Sequence, residues 1–293
     1  MNLQYFLLAI STIIWGFGFV AARLSFSAVD PVWSHALRFI VAGVLALPLL
    51  IFKKTFFKSK EFLTQALLAS FFLSATLLFQ NMGLLYTTVA RSGFITTLYT
   101  LFIPLLMMMF FKKRYHNIFW LLTLTALFGM LLLCDLNLNE FNIGDLLTLI
   151  CSIFAAIHII YIGKITHEIE SAIEFNFLQL FFVGIEATLI ALFVKGPIDI
   201  GNAFIGKGSA IFGILFLGIL SSMFAFTIQV IAQKRVKPHI AGLIFLLESP
   251  IAAFFGYLVF NEKMSTVNIF GAGLILISVV LVPILQNEMA ADK

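Results

Sequence analysis

Hydrophobic residues form long runs along this sequence, and charged residues or turn formers separate one run from the next. The apolar positions within a run do not alternate with polar ones, which favours helices over β-strands. Each run is long enough to cross the roughly 30 Å hydrocarbon core of a bilayer as a helix, in some cases with tilt. The pattern predicts ten transmembrane helices, at approximately 3–22, 31–52, 62–86, 92–111, 118–134, 143–163, 173–194, 210–233, 238–260 and 267–285.

The composition supports a membrane protein over a soluble one. Hydrophobic residues make up 61% of the 293 residues and charged residues 11%, against about 25% charged in a soluble domain. In hydrocarbon every backbone N–H and C=O must be paired within a helix or a closed barrel. We therefore expect an all-α membrane protein.

Basic residues give this helical chain an orientation. The formal net charge of +4 does not indicate nucleic-acid binding, because lysines and arginines lie in short clusters between the apolar runs. When the loops are assigned alternately to two sides, twelve basic residues fall on one side and five on the other. The positive-inside rule then places both termini in the cytoplasm. We expect the chain to lie in the cytoplasmic (inner) membrane.

The two cysteines indicate no disulfide framework or metal site. Cys134 and Cys151 are too few for such a framework, and Cys151 lies well inside an apolar run. We interpret both as small packing residues, and we expect neither a metal nor a cofactor.

The second half of the sequence repeats features of the first. Residues 92–104 open an apolar run with a proline twelve positions in, and residues 238–250 do the same. The preceding run carries a late glutamine in each case, Gln80 and Gln229. Because each half holds an odd number of predicted spans, the two copies would cross the membrane in opposite directions. Inverted repeats are typical of secondary transporters, with a substrate site near the midplane.

Several short motifs occur in a fixed order against these spans. They are Trp15-Gly16, Arg38-Phe39, residues 80–84, Phe94 through Pro104, Gly144-Asp145, Gln233-Lys234, Glu248-Ser249-Pro250 and Asn261-Glu262. In this order they resemble the EamA-type members of the drug/metabolite transporter superfamily. The chain departs from that pattern at Asn261, where a glycine usually precedes the acid, and at the basic triplet 112–114.

The resemblance implies a fold, a function and partners. It implies ten helices in two inverted five-helix repeats, residues 1–137 and 138–293. It also implies export or uptake of a small organic solute by alternating access, with proton coupling or facilitated transport both open. Related proteins are associated with amino acids, nucleotide-linked metabolites, vitamins and drugs, so the substrate stays open. Membrane lipid is an expected partner, and both a monomer and a homodimer remain open.

Few ionisable residues lie deep in the predicted spans. They are Arg38, His158, Glu186 and Glu248. A charge at the bilayer centre costs roughly 2.5 to 3.5 kcal/mol on insertion scales, so each needs a partner or a water-filled cavity. Arg38 and Glu186 lie at about the same depth, by a rise of about 1.5 Å per residue. Either they pair across the two halves, or Arg38 forms an anion site and Glu186 lies elsewhere. A third alternative is structural: Arg38 caps backbone carbonyls and Glu186 faces a neighbouring helix.

Glu248 is the strongest candidate. It lies about 15 Å deep, halfway through the core, by the same rise. Pro250 removes a backbone donor and should loosen the helix near Leu246, leaving carbonyl groups beside the carboxyl. A titratable group there could couple transport to protons or bind a cationic part of the substrate. The alternative is a structural Glu hydrogen-bonded between helices.

Aromatic and amide residues are weaker candidates. The resemblance also implies a cavity between the first, fourth, sixth and ninth spans, which Trp15, Tyr99 and Phe245, with Glu248, could line. Phe245 matches Tyr99 when the repeats are aligned on their prolines. The alternative is core packing. Gln80 lies near the outer end of its span and Gln229 near the inner end of its own, where gating competes with interhelical hydrogen bonding. His158 suits a proton relay or a structural role.

Two other function classes remain as alternatives to a secondary transporter. An intramembrane enzyme would need a nucleophile and base, or an acidic metal cluster, at one depth, and the deep acids are isolated in the sequence. A channel or a receptor would not need an inverted duplication. The duplication therefore favours a transporter with alternating access.

The charge pattern generates a prediction about topology. In a cysteine-free protein, single cysteines placed at Lys58 and Lys113 should react with an impermeant maleimide only from the cytoplasmic side, and one at Glu140 only from outside. Labelling of the Lys58 position from outside would contradict this orientation.

Overall fold

The computed structural model describes residues 3–133 and 141–289, and within these ranges all regular secondary structure is helical. Cys134, the acidic residues from 135 to 140, the boundary at 137 between the two expected repeats, and Lys293 lie outside the described residues. The all-helical expectation is confirmed for the part of the chain that is described.

The described residues contain ten long helices, which match the predicted runs. They are α1 (Leu3–Ser25), α2 (Pro31–Phe52), α3 (Lys60–Leu84), α4 (Val89–Phe111), α5 (Asn117–Leu133), α6 (Ile143–Ile165), α7 (Ala172–Lys195), α8 (Gly208–Gln233), α9 (Pro238–Phe260) and α10 (Thr266–Met289). Eight of them are long and apolar enough to cross a membrane. The apolar parts of α5 and α10, Asn117–Leu133 and Thr266–Val282, are shorter.

Polar caps fix the residues at which several helices begin. Asp30 accepts hydrogen bonds from the N–H groups of Val32 and Trp33, so α2 begins at Pro31. The Thr88 hydroxyl accepts from Arg91 N and starts α4 before its apolar run. A side-chain acceptor satisfies an N–H group that the first turn leaves without a partner.

Helices of the first half pack mainly on helices of the second half. The most extensive contacts join α2 with α7, α5 with α10, and α3 with α6. Helix α1 packs against α8 and α9, and α4 packs against α6 and α9. Helices α1, α4, α8 and α9 therefore meet where the two halves pack together.

Three of the helices are irregular near the middle of the bundle. Helix α4 is interrupted at Leu98, α9 is interrupted at residues 246–247, and α8 is a π-helix over Phe216–Ala225. The interruption in α9 lies where Pro250 predicts it. Because Pro250 has no N–H for the carbonyl of Leu246, that carbonyl accepts from Ser249 N at 3.3 Å instead.

Helices α5 and α10 cross at two glycines. A Cβ added to Gly271 would overlap the carbonyl oxygen of Gly129, and one added to Gly129 would lie 2.6 Å from the carbonyl oxygen of Gly271. On the same helix, a Cβ at Gly273 would meet no atom within 4 Å. Small residues allow this close approach of two backbones within a membrane.

We expect Gly271→Ala to lower the melting temperature of the detergent-solubilised protein, because the methyl group must push α5 and α10 apart, at a cost of about 1–3 kcal/mol. Gly273→Ala is the matched control and should be neutral or slightly stabilising, since alanine favours a helix over glycine by up to about 1 kcal/mol. Equal melting temperatures for the two variants would show that the crossing does not require glycine.

Candidate functional site

A small cavity lies between the two halves of the bundle, and we call it the central cavity. Its volume is about 60 Å³. With the exception of Glu186, all the candidate site residues predicted from the sequence line this cavity: Trp15, Arg38, Gln80, Tyr99, His158, Gln229, Phe245 and Glu248. The fold therefore brings these candidate site residues together around one cavity.

The cavity draws on more helices than expected. The first, fourth, sixth and ninth spans do contribute, through residues such as Trp15, Tyr99, Ala155 and Glu248. Helices α2, α3 and α8 also contribute, so the expected set of four was incomplete. The irregular segments of α8 and α9 supply lining residues, including Ser221 and Phe245.

Arg38 is held by hydroxyl groups of α8. Its Nε donates to Ser222 Oγ at 2.7 Å and its Nη2 to Ser221 Oγ at 2.8 Å. The side chain is 3% exposed. Both serines belong to the π-helical part of α8, so this irregularity turns two successive hydroxyls toward one guanidinium.

The expected pair between Arg38 and Glu186 does not form. Glu186 Oε1 accepts a hydrogen bond from Ser70 Oγ at 2.6 Å, at the interface of α7 with α3. The sequence places the two residues at one depth in the membrane. However, Arg38 points to α8 and Glu186 points to α3, because depth along a helix does not determine the direction of a side chain. Glu186 faces a neighbouring helix, as the structural alternative expects, whereas Arg38 bonds to serine hydroxyls and not to backbone carbonyls. An anion site at Arg38 stays a prediction.

Glu248 and Tyr99 are joined across the two halves. Tyr99 Oη donates to Glu248 Oε2 at 3.0 Å, and the same hydroxyl lies 3.3 Å from the carbonyl oxygen of Phe245. That carbonyl is available because Ser249 N has turned to Leu246 in the interrupted helix. The expected free carbonyl beside the carboxyl is therefore present, and Tyr99 occupies it.

The register of the two halves differs from the alignment on prolines. Helices α4 and α9 each have 23 residues, and each is followed by a residue with left-handed backbone, Lys112 at φ 54° and Asn261 at φ 53°. Counted from the helix starts, Tyr99 corresponds to Glu248 instead of Phe245. The alignment on helix starts differs from the alignment on prolines because Pro104 and Pro250 lie at different distances from the ends of their helices.

Aromatic rings form one wall of the central cavity. The Trp15 ring lies 4.8 Å from the Phe226 ring and 5.2 Å from the Phe245 ring, between centroids. Trp15 Nε1 donates to the carbonyl oxygen of Ser221 at 3.2 Å. The indole is thus fixed on α8 and presents an apolar surface beside Arg38 and Glu248.

The amides and the histidine have different environments. Gln80 Nε2 lies 3.4 Å from Thr96 Oγ1, whereas Gln229 Nε2 donates to Gln233 Oε1 at 2.8 Å and Gln229 Oε1 is buried with no partner. His158 Nε2 lies 3.2 Å from Gln179 Oε1. This hydrogen bond suits the structural alternative for His158.

Sequence reasoning missed Ser221, Ser222 and Phe226 as residues of the site. Uncharged residues within an apolar run give no signal of depth or direction. The spacing of Gly218 and Ser222 was available as a sign of close helix packing, and Gly218 does pack against the backbone of Arg38.

Two ion pairs tie the cavity-lining helices together at one end of the bundle. Glu262, just after α9, accepts from Arg23 Nη1 at 2.7 Å, from Val89 N at 2.9 Å and from Ala90 N at 3.2 Å. Arg91 binds Asp145 through two hydrogen bonds of 2.8 and 2.7 Å. Ends of α1, α4, α6 and α9 are therefore linked, and we call these contacts the Glu262 network.

The central cavity is too small for an organic solute in this conformation. A volume of about 60 Å³ has room for a few waters, while small-molecule sites span roughly 300–1,000 Å³. An organic solute would require the lining helices to move apart. Within the described ranges, no group of three or more His, Cys, Asp or Glu is arranged to hold a metal ion.

Comparison with known proteins matches nearly the whole chain. The model of the EamA-like transporter family matches twice, at residues 2–134 and 142–283. An "Uncharacterized transporter" of Archaeoglobus fulgidus is 28% identical over 276 residues, which cover 94% of this chain and 84% of the relative. A second protein of that name and organism is 23% identical, over 95% of this chain and 98% of the relative.

A solved structure titled "Crystal structure of protein" has a TM-score of 0.75 and 15% sequence identity, and covers 99% of this chain and 100% of that one. At this identity the likeness shows the fold alone. The two family matches and the apolar helices make the chain a multi-pass helical membrane protein. The chain belongs to the EamA-like transporter family.

Proposed function

We propose that this protein is a secondary transporter that moves a small organic metabolite across the cytoplasmic membrane by alternating access, with both termini in the cytoplasm. The observation that carries the proposal is a buried arginine and a buried glutamate, Arg38 and Glu248, that line one cavity between the halves of the bundle. Names of the family and of its relatives point to transport and away from catalysis.

The proposed architecture is two inverted five-helix repeats that together span the membrane ten times. The family model matches each half separately. Gln80 precedes the end of α3 by the same number of residues as Gln229 precedes the end of α8. Tyr99 and Glu248 also occupy equal positions in α4 and α9. A hydrogen bond between equivalent positions is expected near the axis that relates two inverted repeats.

Alternating access requires contacts that can break at one end while the other end stays closed. The Glu262 network suits this role because it joins α1, α4, α6 and α9, which all line the central cavity. At the opposite end, Lys58 pairs with Glu174 at 3.0 Å, and Lys234 Nζ donates to the carbonyls of Ile169 and Glu170. Both ends are tied, which fits an occluded state.

Glu248 is the proposed coupling residue. Its side chain is 5% exposed, and it lies at the interruption of α9, where a change in helix geometry would alter its contacts. Binding and release of a proton there would change the hydrogen bond with Tyr99, because a carboxylate only accepts while a protonated carboxyl also donates. Proton occupancy is thus linked to the contact that joins the two halves.

Replacing Glu248 by Gln keeps the shape and the hydrogen bonding but removes titration. We expect the purified E248Q protein in proteoliposomes to lose solute accumulation driven by a pH gradient, by at least about tenfold, which corresponds to about 1.4 kcal/mol of coupling free energy. Solutes for the assay come from a panel of radiolabelled amino acids, nucleosides and vitamins.

The matched control is Glu186→Gln, which removes another membrane carboxyl that lies outside the central cavity and bonds to Ser70. It should insert normally and keep its dependence on the pH gradient. An unchanged dependence in E248Q would assign Glu248 to structure. Passive flux at channel rates, or chemical conversion of a solute, would contradict a transporter.

A further inference from the structure

Helices α4 and α9 end in the same way at opposite ends of the bundle. Each is followed by a residue with left-handed backbone, and the next residue is Lys113 after α4 and Glu262 after α9. The N–H of Lys113 donates to the carbonyl of Met107 at 3.3 Å, and the N–H of Glu262 donates to the carbonyl of Gly256 at 3.4 Å. Lys113 therefore occupies at one end the backbone position that Glu262 occupies at the other.

The basic residues beside these helix ends also correspond. Arg23 lies in the last turn of α1, with its guanidinium carbon 4.8 Å from the ring centroid of Phe260. Lys164 lies in the last turn of α6, with its Nζ 5.8 Å from the ring centroid of Phe111. Phe260 and Phe111 are the last residues of α9 and α4. The two ends thus share a cation over a terminal phenylalanine and differ in the charged residue that follows it.

The carboxylate of Glu262 has two roles at its end of the bundle. It pairs with Arg23, and it accepts from Val89 N and Ala90 N at the start of α4. An anion there neutralises a cation and satisfies N–H groups that the first turn leaves without a partner. The corresponding places at the other end lie beside Lys164 and at the start of α9.

That other end supplies cations and no acid. We call Lys113, Lys164 and Lys237 the basic cluster. The start of α9 contacts the end of α6, because a Cβ added to Gly163 would lie 2.5 Å from Pro238 Cγ, and Lys237 precedes α9 without capping it through its side chain. The three lysines are exposed, and none of them belongs to an ion pair among the described residues. An anion at this end must therefore come from outside that part of the chain.

His239 adds a buried group without a partner at the same place. It lies in the first turn of α9 and is 8% exposed, and its Nδ1 is buried with no hydrogen-bond partner. Lys113 and Lys237 both lie near its ring. Because Nδ1 can carry the ring proton and donate it, an anion beside the two lysines would accept this hydrogen bond.

The surface next to the basic cluster is apolar, which favours a lipid over a soluble anion. Met109, Phe110 and Phe111, at the end of α4, are exposed. Apolar side chains at the end of a membrane helix contact acyl chains, while lysines beside them reach the level of the headgroups. A phospholipid presents an apolar chain and a phosphate together at this boundary.

We propose that the basic cluster binds the phosphate of an anionic phospholipid, which takes the place that the Glu262 carboxylate takes at the other end. The phosphate oxygens accept from Lys113 and Lys164 and face the start of α9, where the helix dipole also favours an anion. The acyl chains lie along the exposed end of α4. The lipid thus links α4, α6 and α9, and this assignment does not depend on the transport function.

The first test measures which lipid the protein binds. The purified full-length protein in a neutral detergent is titrated with phosphatidylglycerol or with phosphatidylcholine of the same acyl chains, and binding is followed by native mass spectrometry. Phosphatidylglycerol should bind at least about tenfold more tightly, because each lysine near an anionic headgroup contributes a factor of roughly five. Glycerol phosphate and inorganic phosphate, which lack acyl chains, should bind more weakly than phosphatidylglycerol.

A lysine variant locates the site. Lys164→Gln should reduce the preference for phosphatidylglycerol about fivefold, the effect of one lysine. Lys53→Gln is the matched control, since Lys53 is an exposed lysine after α2 and lies outside the basic cluster. It should keep the preference. Equal losses in the two variants would show a diffuse attraction to the basic surface and would overturn the site.

A charge exchange tests the correspondence with Glu262. Lys113→Glu places a carboxylate at the matching backbone position, where it should pair with Lys164 and cap α9. We expect this variant to melt at a higher temperature than the unsubstituted protein in phosphatidylcholine nanodiscs, with no further rise when phosphatidylglycerol is added. Lys112→Glu makes the same charge change one residue earlier and should not raise the melting temperature in phosphatidylcholine.

Other outcomes contradict the proposal. Equal affinities for the two lipids rule out the site, and inorganic phosphate that binds as tightly as phosphatidylglycerol would show a site for soluble anions instead. If K113E gains no stability in phosphatidylcholine and still responds to phosphatidylglycerol, position 113 is not the counterpart of Glu262. If K113E does not fold, the comparison of K164Q with K53Q decides.

Discussion

A charge within a hydrocarbon environment must find a partner or a polar space, and the rest of this protein depends on that constraint. The apolar surface of the bundle leaves few directions in which an ionised side chain can lie. Arg38 turns toward two serines of α8, and Glu248 turns toward Tyr99. Both residues therefore lie between the halves, where their polar groups line the central cavity.

Helix irregularity is the means by which the backbone meets this constraint. The π-helical part of α8 directs Ser221 and Ser222 at one guanidinium, and the interruption of α9 frees the carbonyl of Phe245 for Tyr99. An uninterrupted α-helix would have used that carbonyl internally. The same departures from regular geometry make these segments the places where small changes in backbone conformation can alter the contacts between the halves.

The sequence predicts the fold better than it predicts the partners of individual residues. Hydropathy locates the ten helices because burial in hydrocarbon acts on long segments, and Pro250 locates the interruption of α9 because a missing N–H has a local effect. Arg38 and Glu248 are found in the cavity because charge is rare in apolar runs. The pairing of Arg38 with Glu186 is wrong because equal depth says nothing about the face of a helix. Ser221 and Phe226 carry no signal until the helices are packed.

The central claim is that the cavity between the halves is the path of the solute and opens to each side in turn. The most direct measurement uses a single cysteine in place of Leu77, a buried residue of the cavity wall, in a cysteine-free protein reconstituted in vesicles of known orientation. The account predicts that an impermeant thiol reagent labels this position from either face of the membrane, and that a transported solute slows both reactions. A cysteine that the reagent reaches from neither face, while solute is still transported, would contradict the account, because the solute would then be crossing elsewhere.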